Sequence, residues 1–258
     1  MIGDIVGRPG RTMLKAQGKR IREEYGVDFF IANAENSAGG SGITPETAGE
    51  LLEAGIDVLT TGDHVFKQKT AIKALENRRV IRPLNYPPGT PGTGWTVIPA
   101  RNGVPVAVVN LAGRVFMNPL DCPFRAVEEI LEDVRATTPV IVVDMHAEAT
   151  SEKIAMGWFL NGRVSAVCGT HTHVQTADAR ILSNGTAYIT DVGMTGAHES
   201  VLGREIEPVL AHFRTGMPHR FAVAGKDVRM MGVCIDIDEK TGTALAIKLV
   251  QHQFEPET

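Results

Sequence analysis

Val164-Ser165-Ala166-Val167-Cys168 runs directly into Gly169-Thr170-His171-Thr172-His173. A short apolar run that ends at a glycine reads as a strand buried on both faces. Histidines two residues apart point the same way from an extended chain, so both imidazoles can reach one cavity. The same pattern recurs along the sequence. Phe29-Phe30-Ile31-Ala32 leads into Asn33-Ala34-Glu35-Asn36, and Val58-Leu59-Thr60 into Thr61-Gly62-Asp63-His64. Ile141-Val142-Val143 leads into Asp144-Met145-His146-Ala147-Glu148, and the opening Ile2-Gly3-Asp4 is a short fifth case.

Outward from these stretches, apolar runs at 28–32, 57–60, 104–110, 139–144, 164–168 and 187–190 read as strands. They alternate with helix-like stretches at 10–25, 44–54, 67–78, 123–136, 151–160 and 203–215. Thr44-Pro45 opens one of these with a cap residue followed by proline at the first helical position. Strand–helix alternation predicts βαβ units around a mainly parallel sheet. Residues 228–238 and 244–254 flank the turn-rich Glu239-Lys240-Thr241-Gly242 and predict an antiparallel C-terminal hairpin. Residues 82–94, rich in proline and glycine, read as a long irregular loop. With no linker or charge block, the expectation is a single α/β domain over residues 1–258.

Composition narrows the function. The chain has 258 residues and a formal net charge of −4, without the clustered basic excess of a nucleic-acid or membrane-surface binder. Three scattered cysteines form neither a disulfide framework nor a cysteine zinc site and fit a reducing cytosol. The N-terminal residues do not resemble a secretory leader, and no apolar run reaches the ~20 residues of a membrane span. A cytoplasmic protein is expected.

Ligands in open α/β sheets bind beyond the carboxyl ends of strands. Five segments delivering Asp, Glu, Asn and His to one edge supply the oxygen and imidazole donors of a metal site. Singly, Asp4 reads as a turn residue, Glu35-Asn36 as a loop and His146 as a satisfied buried histidine; their coincidence at equivalent positions favours the site. Of eight histidines, four fall in these segments. His198, in Gly196-Ala197-His198-Glu199, is a rim candidate. The glycine-rich opening matches neither a dinucleotide fingerprint nor a P-loop.

Taken together, Gly3-Asp4, Ala34-Glu35-Asn36, Gly62-Asp63-His64, Met145-His146 and Gly169-Thr170-His171-Thr172-His173 resemble the ligand series of the calcineurin-like metallophosphoesterases. Arg82-Pro83-Leu84-Asn85-Tyr86, the stretch from His146 to Lys153, and Thr190-Asp191-Val192-Gly193-Met194-Thr195-Gly196 resemble the YmdB-like group within them. The resemblance implies a four-layer αββα sandwich with mixed sheets and a dinuclear metal centre. It implies Asp4, Glu35 and His173 on one metal, and Asp63, His146 and His171 on the other, with Glu35 bridging. Asn36 would face the substrate phosphate, and His64 would be the non-ligand catalytic histidine. It further implies phosphodiesterase activity, including on 2′,3′-cyclic nucleotides, and a homo-oligomer, dimer or tetramer. In two respects the chain departs from the pattern: Asp63 stands where the family usually has asparagine, and only three residues precede Asp4.

Two divalent ions roughly 3.5–4 Å apart clamp the attacking and leaving oxygens of an in-line displacement. The expected reaction is attack of a metal-bridging hydroxide on phosphorus, with charge on the phosphoryl oxygens met by Asn36 and a proton returned by His64. A mixed nitrogen and oxygen donor set suits iron or manganese, with zinc or magnesium as alternatives. Two other readings compete. One is a non-catalytic or weakly catalytic nucleotide-sensing protein that keeps the metal pocket, to which Asp63 gives weight. The other is a barrel amidohydrolase, which would need more βα units than this chain has.

Overall fold

The computed structural model describes residues 1–254. Its strands are β1 (Asp4–Ile5), β2 (Ile31–Asn33), β3 (Val58–Thr60), β4 (Trp95–Pro99), β5 (Pro105–Ala112), β6 (Ile141–His146), β7 (Ala166–Thr170), β8 (Arg180–Ile181), β9 (Ala187–Ile189), β10 (Met194–Ala197), β11 (Val228–Ile237) and β12 (Ala244–Gln253). Its helices are α1 (Gly7–Glu24), α2 (Pro45–Glu53), α3 (Ala71–Ala74), α4 (Pro123–Thr137), α5 (Thr150–Phe159) and α6 (Ile206–Thr215). No helix among the described residues is long and apolar enough to cross a membrane.

This is a mixed α/β fold with mixed sheets. One sheet has the order β4-β5-β6-β7-β9-β8, parallel from β5 to β9 with antiparallel edges. A second has the order β1-β10-β11-β12, in which β11 and β12 pair antiparallel. The parallel pair β2-β3 joins it through Ile2, which bridges to both Ala32 and Gly232.

Period-two alternation places the core. Ala107, Val109 and Leu111 on β5 pack with Val143 and Met145 of β6 against Val127, Leu131 and Val134 of α4. The intervening Val106 and Val108 face Val142, Cys168, Ile31, Val58 and Val233, between the sheets. On the far side Met13, Leu14 and Ile21 of α1 and Leu51 of α2 cover Ile5, Ala32 and Leu59. Strands buried on both faces lose the polar alternation of a half-exposed sheet, which is why they are legible only as apolar runs.

Along the inter-sheet face that rule breaks at one end. Two residues after Ile31 comes Asn33, and two after Val58 comes Thr60. Asn110 follows Val108, Asp144 and then His146 follow Val142, and Thr170 follows Cys168. All are buried. An apolar layer therefore turns polar at the carboxyl ends of five strands.

The observed elements differ from the sequence reading in several places: α1 begins at Gly7, α6 at Ile206, and the short strand β8 falls outside the expected strands. The 67–78 helix shortens to α3, with turns on either side of it; in the preceding turn Gln68 donates from Nε2 to the Ser41 carbonyl, 2.7 Å away. β4 adds an antiparallel edge directly after the irregular loop. β10, whose Met-Thr-Gly-Ala sequence has little strand preference, pairs parallel with β1.

The three residues ahead of Asp4 are laddered on both sides. The Ile2 amide donates to Ile31 O at 2.9 Å, Gly3 to Met231 O at 3.1 Å, and Val233 to Met1 O at 2.8 Å. Beside Met1 lies an open groove of about 510 Å³ lined by Phe29, Ile31, Val106, Val142, Val233 and Ile235. Period two places Ile235 and Ile237 next along the edge that pairs with Met1 and Gly3. An engineered extension of four residues with alternating apolar pattern ahead of Met1 should fill this slot as strand. Burying two or three apolar side chains there should raise Tm by roughly 5 °C or more, read by differential scanning calorimetry. An unchanged Tm would show the slot closed to a strand.

Candidate metal centre

The polar end of the inter-sheet layer is organised around Asp144. Its carboxylate accepts from Thr60 Oγ1 (2.5 Å), Asn33 Nδ2 (3.1 Å) and Thr170 Oγ1 (2.7 Å). Burial pushes its pKa up. Because Thr170 commits its one proton to Asp144, the 2.8 Å contact from His146 Nδ1 to Thr170 Oγ1 assigns the proton to Nδ1. His146 Nε2 then points its lone pair away from the relay.

The other two histidines are anchored in the same manner. His173 Nδ1 donates to Leu202 O at 3.2 Å, leaving Nε2 facing Asn36 Nδ2 at 3.2 Å and Asp4 Oδ1 at 3.8 Å. His171 Nε2 lies 3.2 Å from Glu148 Oε2 on the outer side, with Nδ1 facing inward. Such outer bonds fix the tautomer of metal-binding histidines.

The inward atoms converge. His146 Nε2 lies 3.1 Å from His171 Nδ1, 3.2 Å from Glu35 Oε2 and 3.3 Å from Asp63 Oδ1. The donor atoms of Glu35, Asp63, His146 and His171 all fall within 4.8 Å of one another. Asp4 sits beside this group, its Oδ2 accepting the His171 amide at 3.1 Å and its buried Oδ1 without a hydrogen-bond partner. Two lone pairs and several carboxylate oxygens at these distances repel unless a positive charge is shared among them. The donor set therefore fits a divalent cation.

The titration behaviour reflects the same crowding. Burial would lower the His146 pKa, yet Glu35, Asp63 and Asp4 hold it well above the usual imidazole range. Burial opposes ionisation of Glu35 and Asp63, but His146 outweighs it: Glu35 is held below its usual value and Asp63 well below its own. Asp4, with burial dominant, is pushed well up. Burial, with His146 beside it, pushes His171 down to about 4, and burial lowers His173. Without an ion, a proton on His146 Nε2 carries part of the charge that a cation would supply; with an ion bound, that atom would offer its lone pair instead.

The two histidines of the Thr170–His173 stretch do not converge by extended alternation. β7 ends at Thr170, and both His171 (φ 101°) and His173 (φ 64°) are left-handed. Asp191 holds the turn between them, accepting from the Thr172 amide (3.0 Å) and hydroxyl (2.7 Å), while buried Lys153 donates to the same carboxylate at 2.8 Å. His171 turns to His146 and Asp63, whereas His173 turns to Asp4 and Asn36.

Asn36 links the remaining residues. Its amide donates to Glu35 Oε1 (3.1 Å), and its Oδ1 accepts from His64 Nδ1 (2.9 Å). The His64 amide donates to Glu35 Oε2 at 3.0 Å. His64 Nε2 lies 3.8 Å from Asp63 Oδ2, with about a third of the side chain exposed (32%). His198 donates from Nδ1 to Gly196 O at 3.0 Å, off the cluster.

A family model described as YmdB-like protein matches residues 1–250. The chain belongs to the YmdB-like family. A relative from Bacillus subtilis (strain 168), named 2′,3′-cyclic-nucleotide 2′-phosphodiesterase, is 47% identical over 250 residues, covering 96% of this chain and 94% of that protein. The solved structure of a hypothetical protein from Thermus thermophilus superposes with a TM-score of 0.92 at 42% identity, covering 98% of this chain and 97% of that one. A structure described as a novel phosphatase from Mycoplasma pneumoniae gives 0.91 at 31% identity, covering 99% and 93%.

Within this family member, Asp144, Thr170, Asn33 and Thr60 escaped the sequence reading as site residues. Their signal was available: each is polar on a face whose other positions are apolar. Glu148, Lys153 and Asp191 gave no such signal, since their roles depend on pairing across 19 to 38 positions.

Gly62 lies against the cluster, and a Cβ there would overlap His146 Nε2 and Glu35 Oε2. Gly62→Ala should keep the fold and lower Mn²⁺ affinity by more than the roughly 10- to 100-fold cost of losing a group bonded to a ligand. Metal content after dialysis and the Mn²⁺-dependent rise in Tm check this; wild-type values for both would place the cation elsewhere. Asp63→Asn removes one carboxylate from the same set and should also weaken retention, by about 10-fold, in a chelator titration. Unchanged retention would remove Asp63 from the ligands.

Proposed function

We propose that this chain is a metal-dependent phosphodiesterase of the calcineurin-like metallophosphoesterase type, acting on 2′,3′-cyclic nucleotides. On this reading residues 1–258 form one domain, a four-layer αββα sandwich with an antiparallel C-terminal hairpin, assembled as a homo-oligomer. The observation that carries it is the convergence of His146 and His171 with Glu35 and Asp63, flanked by Asp4 and His173, with His146 and His173 each anchored by the far nitrogen. The name of the Bacillus subtilis relative supports the substrate class.

Asp4, Glu35 and His173 would hold one ion, and Glu35, Asp63, His146 and His171 the other; iron or manganese suits this nitrogen and oxygen set. When bound, the ions supply positive charge against the attacking and leaving oxygens. The chain's own residues do the remainder. Asn36 Nδ2 lies on Glu35 Oε1 and His173 Nε2; with those two atoms committed to ions it would be free to donate to a phosphoryl oxygen, while its Oδ1 stays fixed by His64. His64 commits its Nδ1 proton to Asn36 Oδ1, which makes Nε2 the atom that gives a proton to the departing ribose oxygen. Water supplies the new P–O bond, the old P–O bond breaks, and the ribose oxygen leaves as hydroxyl. Its partial exposure lets His64 regain its proton from solvent.

Protein loaded with Mn²⁺ or Fe²⁺ and assayed on phosphomonoesters and phosphodiesters tests the reading. Cyclic-nucleotide hydrolysis abolished by chelation is expected; tight nucleotide binding without turnover would assign a sensing role instead. His64→Ala should retain metal and lose roughly 10²–10⁴-fold in diester turnover, with the loss largest for alkoxide and smallest for nitrophenyl leaving groups. Equal loss across all esters would remove the proton-donor role.

A further inference from the structure

The loop after β5 is held more firmly than a connector requires. Its first residue, Gly113, donates its amide to His146 O at 2.9 Å, which ties it to a site residue. Buried Glu152 accepts the amides of Arg114 (3.0 Å) and Val115 (3.4 Å). Buried Asn85 exchanges two bonds with the Ala112 backbone and donates to Asp121 O at 2.9 Å, fixing the loop's far end. The neighbouring Tyr86 is close enough to the site that, after burial, Asp63 and Glu35 contribute to raising its phenol to about 12.

What this scaffold presents is Phe116. The Met117 amide bonds to Arg114 O, closing a turn whose third position is Phe116 at φ 62°. Glycine or asparagine ordinarily fills that position, because a bulky side chain is strained there. The ring is 89% exposed, the most exposed large apolar side chain among the described residues. A strained backbone, kept by two buried polar anchors and used to hold an aromatic ring in solvent, has no packing rationale; such outliers concentrate at ligand-binding positions. Phe116 is three residues from Gly113, at most about 10 Å of chain, and Gly113 bonds to the carbonyl of the site residue His146, so the ring lies at the same end of the β5–β6 pair as the cluster.

We propose that Phe116 is the platform on which the substrate's nucleobase stacks while its phosphate lies at the cluster. This rests on the phosphodiesterase reading for the phosphate and adds the base as the second point of recognition. Stacking is tolerant of base identity, since every base has a π-face. The site would therefore favour nucleosidic over base-free cyclic phosphates without choosing strongly among the four bases.

The test compares adenosine 2′,3′-cyclic phosphate with ribose 2,3-cyclic phosphate, which lacks the base, on metal-loaded wild type, Phe116→Gly and Phe116→Tyr. Phe116→Gly should lower kcat/KM for the nucleotide by about 5- to 100-fold more than for the base-free ester, through KM. Because glycine suits the turn, its Tm should stay level or rise, whereas a structural role would lower it. Phe116→Tyr should retain the preference. Direct titration of adenosine 3′-phosphate, the product of breaking the 2′ bond, reads the same loss as affinity whether or not turnover occurs, and wild-type hydrolysis of the base-free ester bears on the phosphodiesterase reading alone. An equal fall for both esters with unchanged nucleotide affinity would overturn the proposal. So would unchanged nucleotide kinetics with a shift in sedimentation, which would assign the ring to a contact between copies.

Discussion

The carboxylates of Asp4, Glu35 and Asp63 cannot lie together in a buried pocket without positive charge beside them, and most of the site's architecture answers that constraint. Like charges a few ångströms apart at low effective dielectric cost several kcal/mol, so the surrounding groups are arranged to keep positive charge available. His146 supplies part of it, and its orientation is set by the relay through Thr170 to Asp144. The relay in turn depends on Thr60 and Asn33, which come from the neighbouring sheet. One interaction therefore couples the six-stranded sheet to the β2-β3 pair at the point where their shared apolar layer ends.

The same constraint explains the backbone around β7. His171 and His173 belong to one short segment yet must address different carboxylates. Alternation along an extended chain would send both rings into the same space. Left-handed conformations at both residues separate them, and the Lys153–Asp191 pair holds Thr172 so that the strained turn persists. Lys153 and Asp191 are both almost fully buried, and hydrogen bonds to Thr172 and Gly193 satisfy the carboxylate's remaining capacity. A buried pair with its lone pairs so satisfied fixes geometry more than it adds stability.

Beyond the cluster, the rim divides by polarity. His64 and Asn36 form a coupled polar pair over Glu35, with one imidazole nitrogen committed and the other partly exposed. On the side of His146, the loop fixed by Asn85 and Glu152 carries Phe116 into solvent. On the proposed function, the polar pair would meet the phosphate and the aromatic ring the base of one nucleotide.

The sequence by itself determined which residue types reach one sheet edge. Apolar runs ending in Asn33-Ala34-Glu35-Asn36, Gly62-Asp63-His64, Met145-His146 and Gly169-Thr170-His171-Thr172-His173 are local features, readable because a strand buried on both faces leaves a continuous apolar trace. The cap at Thr44-Pro45 is legible as a local pairing of cap residue and proline, and it forms a capping box with Thr47. Only the tertiary structure decided what those residues do to one another. Tautomers are set by partners 24 to 29 positions away, Thr170 for His146 and Leu202 for His173. β10 is a strand because β1 lies beside it, not because Met-Thr-Gly-Ala prefers to be one. Pairing across long separations depends on how the layers stack, and no window along the chain contains that information.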